Sequence, residues 1–157
     1  MRNRVLDLLV PALAACGVVV AVDQGTKALA TSLVDRGERV EVLPFLAFEN
    51  VRNKGVAFGL GGDISIVVIA VTVVLLVALL AFLARRPQTG WLLWLPAALL
   101  VGGSLGNLAD RARDGAVIDF IELPLWPTFN LADVAIVTGV LLLLIEVERS
   151  GAERRRR

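Results

Sequence analysis

The chain has 157 residues, 57% of them hydrophobic, against the about 45–50% usual for a soluble domain. Sixteen basic and fifteen acidic residues leave a net charge of +1, which gives no basis for a nucleic-acid surface. One cysteine excludes an internal disulfide, and the absence of histidine excludes Ser-His-Asp and Cys-His catalysis together with H-E-x-x-H metal sites.

Four apolar segments follow in chain order. The first runs over 5–22 and contains Asp7 and Pro11. Its Leu13-Ala14-Ala15-Cys16 has the form of a lipobox. A membrane helix is the better reading, because signal h-regions span about 7–15 residues and this apolar run continues past Cys16. The second segment, 64–84, is 21 residues without a charge, enough to cross a hydrocarbon core. The third, 91–109, is uncharged and begins with Trp91 and Trp94, suited to an interfacial belt. The fourth, 129–147, contains Asp133.

These segments predict an all-α membrane protein of four transmembrane helices. Arginine placement predicts the orientation. Arg2 and Arg4, Arg85 and Arg86, and Arg149 with Arg154 to Arg157 fall on one side, which the positive-inside rule assigns to the cytoplasm. Both termini are then cytoplasmic. Residues 1–148 form one membrane-embedded domain, and 149–157 read as a disordered basic tail. The first outer loop, 23–63, contains Arg39-Val40-Glu41-Val42, whose alternation predicts a short strand in a small outer sheet. The second outer loop, 110–128, carries Pro124 and Pro127 and reads as a loop that stops helix continuation.

The polar residues concentrate between Gly102 and Asp133, where four aspartates, two arginines and two asparagines interrupt apolar sequence. Ionisable groups at membrane depth are costly and mark function. Asp119 and Asp133 are the pair best suited to chemistry. Two carboxylates brought close share one proton, as in aspartic proteases, where one activates water and the other protonates the scissile carbonyl. They stand fourteen positions apart with two prolines between, so no helical spacing brings them together.

Other residues admit two readings. Asn130 shares a helix face with Asp133 and either orients a carboxylate or binds substrate backbone, or else caps the fourth helix. Asp23 and Lys27, at i and i+4, either serve the site or simply pair. Gly102 and Gly106 form a GxxxG best read as a packing seam, while Gly103, Asn107 and Arg111 form a stripe suited to a substrate groove. Asn53 and Gly55 lie in a polar turn leading into the second helix. Ser104, within Gly102-x-Ser104-x-Gly106, matches a nucleophile elbow only formally, since it lies in a helix and no histidine activates it. A dyad of Ser104 with Lys27 is the remaining serine option.

Five blocks then resemble lipoprotein signal peptidase, the signal peptidase II family of intramembrane aspartic proteases. They are Asp23-Gln24-x-Thr26-Lys27, Asn53-x-Gly55-x-Ala57-Phe58, Gly102-Gly103-x-x-Gly106-Asn107-x-x-Asp110-Arg111, Val117-x-Asp119-Phe120 and Phe129-Asn130-x-Ala132-Asp133. The resemblance implies a catalytic dyad of Asp119 and Asp133. It implies substrate-binding or dyad-supporting roles for Asp23, Lys27, Asn53, Gly55, Asn107, Arg111 and Asn130. It implies four membrane helices with a small extracytoplasmic β-cradle drawn from the first outer loop. The implied substrate is a bacterial prolipoprotein carrying diacylglyceryl on its lipobox cysteine, cut just before that cysteine. No metal and no cofactor are expected. The implied setting is the bacterial cytoplasmic membrane, with membrane lipid as partner, a monomeric state and the active site facing outward. The alternative reading is a non-enzymatic transporter or channel subunit with an outer polar pocket.

Overall fold

The computed structural model describes residues 4–55, 64–84 and 91–155. The expected Arg85–Arg86 turn, Arg2, Ala57, Phe58 and the last two arginines lie outside them. Four helices and four strands are present: α1 Arg4–Leu33, β1 Arg39–Leu43, β2 Leu46–Asn53, α2 Ile64–Ala84, α3 Trp91–Asp114, β3 Val117–Leu123, β4 Trp126–Phe129 and α4 Leu131–Arg155.

Three helices outrun their expected ends. α1 does not stop at Val22 but continues to Leu33. Asp23 and Lys27 do not break it, because they ion-pair across one turn at 2.8 Å and are buried against the other helices. The hydroxyls of Thr26, Thr31 and Ser32 donate back to carbonyls three or four residues earlier, so no side chain competes for helix N–H groups. α3 runs past Ala109 to Asp114, where Gly115 at φ 68° turns the chain and donates to the Arg111 carbonyl. α4 begins at Leu131 rather than Phe129 and reaches Arg155, so the helix extends into the segment read as a disordered tail.

α3 is the central helix, and missing side chains let its neighbours approach. A Cβ on Gly102 would stand 2.8 Å from Val19 Cβ, and one on Gly103 would stand 2.5 Å from the Ala132 carbonyl oxygen. On Gly106 a Cβ would meet Asp23 Oδ2 at 2.5 Å. Gly102 and Gly106 thus seat α1, as a packing seam should, while Gly103 seats the start of α4.

The strands form one antiparallel sheet in the order β1-β2-β3-β4. The strand expected at Arg39 to Val42 is β1. The sheet is not drawn from the first outer loop alone, however. The second loop, read as irregular, contributes β3 and β4. Its Val117, Ile118, Phe120 and Ile121 suit a pleated, half-buried surface. Its prolines obstruct nothing, because Pro124 opens the turn between the strands and Pro127 lies in the edge strand. Leu125 follows Pro124 at φ 62°, the arrangement of a type II turn, and is fully exposed.

The distribution of polarity is inverted relative to a water-soluble protein. The largest fully buried side chains are Lys27, Asn130, Asp23, Asp110 and Asp119. The exposed surfaces of α1, α2 and α4 carry valines, leucines and isoleucines such as Leu13, Val18, Leu75, Val137 and Leu144. Among the described residues, Val10–Leu33 is long and apolar enough to cross a membrane.

Candidate active site

The polar core sits where the upper halves of α1, α3 and α4 meet the base of the sheet. Its lower part is built around Lys27. The ammonium contacts Asp110 Oδ2 at 2.7 Å, Asp23 Oδ2 at 2.8 Å and Asn107 Oδ1 at 2.9 Å. An ammonium has three N–H donors, so its capacity is filled. That excludes the Ser104–Lys27 dyad. Asp23 Oδ1 accepts the backbone N–H of Ala132 at 3.0 Å, which ties α1 to the first turn of α4. Asp110 also accepts from the Gln24 side chain at 2.9 Å and from the Ile118 backbone at 3.3 Å, which ties α3 to β3.

The upper part holds the two expected aspartates. Asp119 projects from β3 opposite Val51 of β2, and Asn53 is its diagonal neighbour two residues on. Asn53 Nδ2 donates to Asp119 Oδ2 at 2.8 Å. The orientation of that amide is set by its other end, since Asn53 Oδ1 accepts the Gly55 N–H at 2.8 Å. Gly55 holds φ 78°, a conformation that disfavours a side chain, and so fixes Asn53 through a tight Asx turn.

Asp133 is the third residue of α4, and Asn130 is its N-cap. Asn130 Oδ1 accepts the Asp133 N–H at 3.0 Å, and Asp133 Oδ2 accepts the Asn130 N–H at 3.1 Å. This is a reciprocal capping box. Asn130 caps the helix, and its Nδ2 is left free to donate to Asp119 Oδ1 at 2.6 Å. Asn130 donates to both carboxylates, to Asp119 through its side chain and to Asp133 through its backbone.

Asn107 joins the lower and upper parts. Its Oδ1 accepts from Lys27 and, at 3.1 Å, from Asn130, and its Nδ2 donates to Asp133 Oδ1 at 2.8 Å. Lys27 can only donate, so the oxygen of Asn107 must face it and the N–H must face Asp133. Each of the four carboxylate oxygens of Asp119 and Asp133 thus accepts an N–H. None of these donors can take a proton, so an added proton must occupy a lone pair turned elsewhere in the site.

Burial raises the Asp119 carboxyl from its ordinary range to about 6, against the lowering effect of the Asn53 hydrogen bond. The nearby charge of Asp133 adds to the rise, and the Asn130 bond and Lys27 oppose it. Arg111 lies within electrostatic reach of Asp133, Asp119 and Asp110. Its Nη1 donates to the Asn107 carbonyl at 3.4 Å, and its Nε is buried without a hydrogen-bond partner among the described residues. No group of His, Cys, Asp and Glu among the described residues is arranged to hold a metal ion.

All nine expected site residues are in this network. Asp110 and Gln24 were not singled out, although both lie in the quoted blocks. Asp110 stands three residues after Asn107, on the same helical face, and that spacing is the signal that could have found it.

This arrangement, with its polar interior and apolar exterior, is that of a small helical membrane enzyme. In fold the chain is similar to a solved bacterial membrane enzyme determined by the in meso method at 2.3 Å resolution, with a TM-score of 0.82 and 30% identity, covering 94% of this chain and 93% of that one. A second such structure, at 1.9 Å, gives a TM-score of 0.80 and 32% identity over 87% of this chain and 92% of that one. The lipoprotein signal peptidase of Pelotomaculum thermopropionicum is 43% identical over 130 residues, which are 80% of this chain and 84% of that protein. That of Moorella thermoacetica is 40% identical over 140 residues, 88% of this chain and 93% of the relative. The model of the signal peptidase II family matches residues 15–149, and the chain belongs to that family.

Proposed function

We propose that this chain is an intramembrane aspartic endopeptidase that removes signal peptides from bacterial prolipoproteins, with Asp119 and Asp133 as its catalytic dyad. The cut falls just before the diacylglyceryl-modified cysteine. The observation that carries the reading is a pair of carboxylates bridged by Asn130, with an N–H on every oxygen and no ion pair to either aspartate among the described residues. Such a pair is held in place without being neutralised, which general acid–base work requires.

The surroundings fit the substrate. All four helices cross the membrane, with the arginine clusters on the cytoplasmic side and the dyad at the outer edge. The lipid chains remain among the apolar helix faces while the peptide lies under the sheet. Arg111 offers its unpartnered Nε to a carbonyl of the substrate backbone. The protein acts as a monomer. A transporter would need a polar route across the whole bilayer, whereas α2 has no charged residue and the buried polar groups gather at one end of the bundle.

The test uses purified protein in detergent and a diacylglyceryl-modified lipobox peptide, read by mass spectrometry. Wild type is expected to yield a product beginning at the lipidated cysteine. Asp119→Asn and Asp133→Asn are each expected to lower the rate by about 10³-fold or more while the protein stays folded. Cleavage surviving both substitutions would move the chemistry elsewhere.

A further inference from the structure

Two aspartates of like chemistry stand in unlike surroundings. Asp133 is half-buried in the first turn of α4, where the helix end is positive and favours a negative charge. One of its donors is a backbone N–H that cannot rotate away. The other, Asn107 Nδ2, is kept facing Asp133 because Lys27 holds the amide oxygen. Lys27 is in turn fixed by Asp23 and Asp110. Asp119 lies within a strand, 2% exposed, between the buried Ile118 and Phe120. Its donors are two side-chain amides, and one belongs to the exposed Asn53 at the rim.

We infer that the dyad is asymmetric before substrate reacts: Asp133 is the ionised partner that activates water, and Asp119 is the protonated partner that donates to the scissile carbonyl oxygen. The inference rests on the proposed peptidase reading and assigns roles within it. Lys27 and Asn107 are positioning residues for Asp133, and Asn53 is one for Asp119. The charged groups facing the pair are Lys27 from α1 and Arg111 from α3, with Asp23 and Asp110 behind Lys27, while β2 presents the neutral Asn53.

The steps balance. Asp133 takes a proton from water as the water oxygen bonds to the carbonyl carbon, and the Asp119 proton passes to the carbonyl oxygen. The tetrahedral diol then loses its C–N bond. Asp133 returns its proton to the departing cysteine nitrogen, and one diol hydroxyl proton returns to Asp119. The starting state is restored, and one water has been added across the peptide bond.

The burial that raises Asp119 agrees with this order. Substrate that excludes further water raises it more.

The pH dependence of kcat/KM separates the roles. Activity requires one partner ionised and Asp119 protonated, and the Asp119 proton sets the alkaline limb. An N–H donor stabilises the charged form, so losing it raises that group's pKa. Asn53→Ala is expected to move the alkaline limb up by about one pH unit and leave the acid limb in place. An alkaline limb that stays in place while the acid limb moves would overturn the assignment.

A second readout needs no turnover. Infrared spectra of protein with 13C-labelled aspartate at pH 5 are expected to show a protonated-carboxyl band in wild type. The band is expected to persist in Asp133→Asn and disappear in Asp119→Asn. The reverse pattern would overturn the inference even if no peptide were cleaved, so failure of the peptidase reading is seen separately in the cleavage assay.

Discussion

The polar core contains two groups of carboxylates, and they are treated differently. Asp23 and Asp110 clamp Lys27, and all three are 0–1% exposed. Every donor of the ammonium is used, and both carboxylates also bind backbone N–H groups of neighbouring elements. Asp119 and Asp133 receive only uncharged N–H donors. The first group is closed and ties α1, α3, α4 and β3 into one frame. The second is held by uncharged donors, with no cation against either carboxylate among the described residues. The two groups differ in whether a cation fills the capacity of the carboxylates.

Lys27→Met is the strongest way to break that contrast. It leaves Asp23 and Asp110 buried without a counter-charge, and a loss of about 3–5 kcal/mol in stability is expected. Thermal unfolding in detergent measures it. A variant that stayed as stable as wild type and lost only activity would erase the distinction between the groups.

Gly103→Ala probes the other side. The new methyl meets the Ala132 carbonyl, one residue before Asp133. Overpacking of this kind costs about 1–3 kcal/mol, yet a shift of about 1 Å in the start of α4 can cost about 10²-fold in rate. Activity should therefore fall further than the melting temperature suggests, which parallel cleavage and unfolding measurements would show.

Arg39→Ala sharpens the contrast from outside. Arg39 pairs with Glu41 and Glu122 on the sheet surface, in water, where such pairs contribute little. Neither stability nor cleavage rate should change measurably.

Much of the site was legible in the sequence because polar residues are scarce in an apolar chain. Asp119, Asp133, Asn107, Asn130, Asp23 and Lys27 stand out against valine and leucine. Their meeting was not legible. Asp119 reaches the site through strand pairing with β2, and Asp133 through a helix start fixed by its own capping box. Neither relation has a period that links position 119 to position 133. The extension of α1 was missed because Asp23 and Lys27 counted as a polar break, whereas in the fold each supplies the other's partner across one helical turn. β3 and β4 were missed because two prolines outweighed the β-branched residues beside them. A hairpin accepts proline at its turn and edge, and only the pairing with β2 shows that those are the positions occupied.

The cap of α4 makes position 130 a word with one spelling. Serine, threonine or aspartate would satisfy the Asp133 amide equally well, but none has an N–H to hand to Asp119. Glutamine has both atoms on a stem one carbon too long for a cap. Leucine matches the volume and supplies neither. Only asparagine carries an acceptor and a donor on one short planar group. Capping the helix and bridging the two aspartates are therefore a single choice of side chain.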